Sequence, residues 1–199
     1  MSAVDVIDHL VGIAPGSHLD GLRAQRVQAR TNAQTSYLSL FQPDDPHSFS
    51  LLERFAVAVF VAELHQQPAI AAFYAEGLAA QPGGAVLAPT IEAEAARGVT
   101  HGPYGHFPAG PLSVEDTDGL VFTPGITPGP KLAVALAHAH MLVFHPRDAA
   151  AEHLRALEAA GWTVDGIVTL SQLVAFLSFQ IRVIVGLRAL AAAPAVEAN

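Results

Sequence analysis

Residues 50–77, SLLERFAVAVFVAELHQQPAIAAFYAEG, constrain the fold more than any other stretch. They begin as an apolar helix with Leu52, Phe55, Ala56, Val59 and Phe60 as its stripe, pause at Gln66-Gln67-Pro68, and resume as a second helix. Ser48 or Ser50 supplies the first cap, with Glu53 in the first turn. Proline is tolerated at the start of a helix, where its missing N–H has no intrahelical partner, so Pro68 opens the second helix. That helix passes through Tyr74 to about residue 80 and stops at Gln81-Pro82-Gly83-Gly84. A helix N-terminus carries unpaired N–H groups and partial positive charge, and so can hold an anion or a thiolate. Here the reactive positions are Gln67 and Ile70, and neither ionises.

The same spacing rules read the remainder as helices. Ser2 caps a short helix through Leu10, and Ser17 caps a longer one over residues 18–40. On the latter, Arg23, Arg26 and Arg30 share a face. They form either an anionic-ligand patch or a solvated face with interface salt bridges, and the second is the expectation. Pro89 opens a short acidic helix to Arg97. Residues 98–130 are rich in Gly and Pro and lack helical periodicity. So long a loop is expected to be functional or to cover an interface, anchored by Tyr104, Phe107, Leu112, Val121 and Phe122. Residues 131–144 are helical, Pro146 starts a helix that ends before Gly161, and Thr163 caps a last helix to about residue 191. The last helix keeps Ile167, Leu170, Leu173, Val174, Leu177, Ile181 and Val185 at near-helical spacing. One all-α domain over residues 1–199 is expected, with residues 1–44 as an N-terminal helical arm.

Composition narrows the partners. The chain is 51% hydrophobic and only 14% charged, which suggests apolar surface buried between subunits and hence a homo-oligomer. Acidic residues outnumber basic ones 18 to 10, which argues against nucleic acid or an anionic membrane as partner. Gln172, Gln180, Arg182 and Arg188 interrupt the most apolar region as a membrane span, and Asp5 and Asp8 stand where a signal peptide would be basic. A soluble cytoplasmic protein is expected. With no cysteine, disulfides, thiolate nucleophiles and zinc–sulfur sites are excluded.

Two segments carry a family resemblance. AELHQQPAIAAFY resembles the A-x-x-x-N-G-C-P-Y-C-x-x-x-H segment of the alkylhydroperoxidase D-like, carboxymuconolactone decarboxylase superfamily. Gln67 and Ile70 stand at its two cysteine positions, Pro68 is kept between them, and Tyr74 stands at the histidine. VTLSQLVAFLSFQIRVIVGL is similar to the family's final helix: Phe179, Arg182, Gly186 and Leu187 fit, while Ser178 and Ile181 replace asparagines. The resemblance implies an all-α, oligomeric helical bundle. It does not carry over the peroxidase chemistry, which needs one thiol to attack the peroxide and a second to resolve the sulfenic acid. No cofactor is expected.

The remaining candidates are few. Glu63, His65 and Tyr74 are the candidate proton-transfer groups of a cofactor-free lyase or isomerase, although Glu63 and His65 are opposite in phase on a helix. Arg182, in an otherwise apolar helix, is a candidate carboxylate ligand, or else a buried salt bridge or helix cap. His138 and His145 share a face about 10 Å apart and would need His101 or His106 from the loop to hold a metal. Hydrogen-bonded structural histidines are the expectation instead. The reading preferred is a non-peroxidatic protein that binds a small molecule or assists a related partner. The lyase or isomerase and a purely structural subunit are the alternatives.

Overall fold

The computed structural model describes residues 4–193. Among them the regular structure is helical: α1 (Val6–Val11), α2 (His18–Ala24), α3 (Val27–Phe41), α4 (Leu51–Leu64), α5 (Pro68–Ala79), α6 (Gly84–Gly98), α7 (Pro130–Phe144), α8 (Ala151–Ala159) and α9 (Val164–Ala192). The all-α expectation therefore holds.

α4 is the centre. Ser50 and Glu53 form a reciprocal capping box at its start, and Glu53 also meets Lys131 of α7 at 2.8 Å. Ser48, the other candidate cap, instead bonds Thr163 Oγ1 at 2.6 Å and ties the preceding turn to the start of α9. From Arg54 to Ala62 every residue of α4 is buried, because α5, α6, α7 and α9 surround it. The expected stripe is thus a helix apolar on all sides. Between α4 and α5 the chain reverses through Gln66, at φ 55°, and Pro68 is the first residue of α5.

Several boundaries differ from expectation, each for a local reason. Ser2 lies outside the described residues, and α1 is capped by Asp5, which accepts from Ile7 and Asp8 N–H. The expected helix over residues 18–40 breaks at Gln25-Arg26 into α2 and α3. In one straight helix Arg23 and Arg30 would lie about 10 Å apart. The break lets both guanidiniums reach Asp8, with Arg23 also on Asp5 and Arg30 on Asp20. These two arginines are therefore held in intramolecular ion pairs, and Arg26, at the break, stays exposed. α6 starts at Gly84, not Pro89. The proline forfeits a single bond to the carbonyl one turn back, and the buried Ile91, Glu94 and Ala95 hold the helix around it. After α7, a short 3₁₀ turn at Pro146–Asp148 and an extended Ala150 precede α8, because Asp148 is engaged by His145 and the His106 N–H.

α9 follows Thr163 as expected, though it buries Ile184 and leaves Val185 exposed. By length and composition α9 could cross a membrane; here it packs on α1, α3, α4, α7 and α8. The long loop is ordered by Tyr104 and Phe122, which are buried, and by Phe107, over which Arg147 stacks at 4.2 Å. Leu112 and Val121, expected as anchors, are 52% and 79% exposed. Both lie on the stretch whose path is set by the Gly105–Thr117 bridge and by the Tyr104 hydroxyl on Leu120 O.

One close approach is testable. A Cβ at Gly84 would lie 1.7 Å from the carbonyl oxygen of Leu78, so Gly84→Ala forces the α5–α6 corner apart. Urea unfolding is expected to show a loss of about 2–3 kcal/mol. Gly186→Ala, where a Cβ meets nothing within 4 Å, should instead gain about 0.5–1 kcal/mol. Equal effects at the two sites would refute the steric assignment.

Candidate functional site

A polar stripe crosses the apolar α9. Ser171, Ser178 and Arg182 follow i, i+7 and i+11, and all three line one cavity of about 620 Å³. Leu142, Val143 and Phe144 of α7 and Val174 and Ala175 of α9 make its apolar wall. Gly102 and Pro103 of the long loop and Pro146 form its rim. The loop is held there by the Tyr104 N–H on Phe144 O at 3.1 Å and by the Tyr104 ring, stacked on His145 at 4.9 Å.

His65 closes the cavity from α4. As the residue that ends that helix, it faces Ser178, with Nε2 3.4 Å from Oγ. Burial, and then the positive charge of Arg182, hold the imidazole below its ordinary pKa. It is therefore neutral at pH 7. Arg182 is exposed at the cavity, and its guanidinium donates to the Ser178 carbonyl of its own helix at 3.2 Å. Among the described residues Arg182 meets no carboxylate, so the buried salt bridge expected as one alternative from the sequence is not formed. No lining residue is acidic. An open guanidinium beside a neutral imidazole, hydroxyls and an apolar wall suits an organic anion, and a carboxylate matches the guanidinium fork bidentately.

The second serine is already engaged. Ser171 Oγ donates to Ile167 O at 3.0 Å, so the 3.2 Å contact with His138 Nε2 is an N–H donated by the histidine. His138 Nδ1 is then an unprotonated nitrogen, buried without a partner. His140 repeats the pattern: its Nε2 donates to Gly98 O at 2.9 Å, and Nδ1 is buried unpaired. Burial lowers both rings to a pKa of about 4.

The other sequence candidates do not converge here. Glu63 lines a different cavity, of about 570 Å³, with Glu76 and Glu92 between α5 and α6. Tyr74 is fully buried and donates its hydroxyl to Gln180, and burial drives its pKa far above the usual phenol value. Glu63, His65 and Tyr74 thus occupy three separate places. Gln67 precedes α5 with its amide 3.5 Å from the His65 carbonyl, and Ile70 is core. His145 pairs with Asp148 at 3.0 Å, His106 is exposed near Asp118 and Asp148, and His101 is exposed. Among the described residues no group of three or more His, Asp or Glu side chains is arranged to hold a metal. Sequence reasoning reached His65 and Arg182, noted Ser178 only in place of an asparagine, and passed over Ser171. Their spacing with Arg182 was the signal.

Comparison of the chain with protein-family models, with curated proteins and with solved structures found no match.

Proposed function

We propose that the protein binds a small monocarboxylate with an apolar body in the cavity between α4, α7 and α9. The observation that carries this reading is Arg182: a guanidinium without a carboxylate partner among the described residues, at an apolar-walled cavity that also holds the neutral His65. In this reading Arg182 takes the carboxylate, Ser178 and His65 orient it, and the α7 wall takes the body. Thiol peroxidase chemistry has no part in it, since the chain has no cysteine. The lyase or isomerase alternative named Glu63, His65 and Tyr74, and these line no common cavity. Descent from the alkylhydroperoxidase D-like scaffold belongs to the same proposal, supported by the α4–α5 joint in which Pro68 opens a helix directly after Gln67.

The test is a thermal-shift panel of aryl and alkyl monocarboxylates, with 3-phenylpropionate as the reference probe and its neutral alcohol as control. At a concentration of about 100 Kd, binding adds about 2.7 kcal/mol, or roughly 5–10 °C in Tm for a chain of this size. Arg182→Gln should abolish the shift. A panel without any carboxylate-specific shift, or equal shifts in the variant, would defeat the proposal.

A further inference from the structure

A second concavity has a different chemistry. Where α2 and α3 cross the C-terminal half of α9, a groove of about 310 Å³ is lined by Leu22, Ala33, Phe179, Val183, Leu187 and Leu190. Phe179 and Leu190 remain 46% and 48% exposed. Its polar lining is three arginines. Arg23 and Arg30 are held by Asp5, Asp8 and Asp20. Arg26 is exposed and, among the described residues, meets no carboxylate. Arg26 is also the residue that opens α3, and the first turn of α3 has neither a capping side chain nor an acidic residue. Its partial positive charge adds to that of Arg26.

We infer that this groove binds a single-chain anionic amphiphile, a free fatty acid, with its carboxylate on Arg26 and its alkyl chain along the α3–α9 trough. Charge complementarity selects this occupant. The ligand's alkyl chain covers the leucines and Phe179, and one carboxylate satisfies the one groove arginine that meets no acid among the described residues. A second copy of the protein fits less well. No residue lining the groove is acidic, so a face-to-face copy would bring arginine against arginine and leave both Arg26 side chains unpaired. The groove is also separate from the His65–Arg182 cavity, sharing no lining residue with it, so the two sites are independent.

Calorimetric titration of the full chain with dodecanoate, below its micellar concentration, tests the assignment. The titration is made in the Arg182→Gln full chain, which silences the His65–Arg182 cavity for carboxylates, and one site is expected there. Arg26→Gln should weaken it by about tenfold or more. Ala29→Trp, at an exposed helix position on the groove, should fill it and abolish binding in the same background. Circular dichroism checks that the variants stay helical. Dodecanoate binding that survives both groove variants, or no dodecanoate binding at all in the Arg182→Gln chain, would overturn the inference. So would a concentration-dependent dimer dissolved by Ala29→Trp, which would give the groove to a second copy. Binding to phosphatidylglycerol vesicles through Arg26 with no binding of free dodecanoate would assign it to a membrane surface, and would equally overturn it.

Discussion

Arg54→Met should lower the unfolding free energy by about 3–5 kcal/mol, a larger loss than Gly84→Ala causes. Arg54 is buried in the first turn of α4 with no carboxylate beside it among the described residues. Its guanidinium donates instead to carbonyls of three segments: Phe49 O at 2.8 Å, Leu40 O at 2.8 Å with Ser39 O at 3.4 Å, and Pro46 O at 3.0 Å. Ser39 and Leu40 lie in the last turn of α3, where helix carbonyls have no intrahelical donor. Arg54 thus caps α3 and fastens the turn that leads into α4. Methionine fills the volume but leaves the buried Leu40 and Phe49 carbonyls unpaired. Arg54→Lys keeps the charge on a single nitrogen, which cannot reach all three segments, so an intermediate loss is expected. Arg97→Met, at a side chain 56% exposed, should cost under about 1 kcal/mol. Urea unfolding at pH 7 checks the order, and a loss at Arg54 no larger than at Arg97 would refute the capping role.

The second large effect is acid lability. His138 and His140 are buried and neutral, with pKa values near 4. In the unfolded chain each titrates near 6.5. The unfolded state therefore binds more protons between those values, so the native state is fully favoured above pH 6.5 and loses stability as pH falls towards 4. Each ring contributes a slope of at most about 1.4 kcal/mol per pH unit within that window and a total of about 3 kcal/mol. Glutamine keeps a donor for Gly98 O or Ser171 Oγ and does not titrate. His138→Gln/His140→Gln should therefore flatten the stability profile between pH 6.5 and 4.5, with half the change in each single variant. An unaltered profile in the double variant would show that these rings are not the acid-sensitive groups. Asp148, whose pKa is lowered by the His106 N–H and by His145, weakens its hold on the loop only at lower pH.

The elements marked by strong local signals were legible in the sequence. Ser50 with Glu53, Pro68, Gly161 and Thr163 placed the ends of α4, α5, α8 and α9, because caps and left-handed stops act over three or four residues. What depends on distant partners was not legible. The break between α2 and α3 exists because Asp8 draws two arginines together, and helical spacing in residues 18–40 carries no trace of it. Pro89 reads as a helix start and sits inside α6, where tertiary packing outweighs one lost hydrogen bond. For the site, the polar interruptions of α9 were visible and pointed to Arg182. That His65 would meet Ser178 across 113 positions, and that Glu63 would line a different cavity, are properties of packing alone.

The most direct measurement of the proposed function is calorimetric titration of 3-phenylpropionate and its panel of monocarboxylates into the purified protein and into Arg182→Gln at pH 7. The expected result is saturable one-site binding of at least one carboxylate, no binding of its neutral alcohol, and a loss of about tenfold or more in affinity in the variant. Carboxylates that bind the two proteins equally, or bind neither while both remain folded, would contradict the assignment of Arg182 and its cavity.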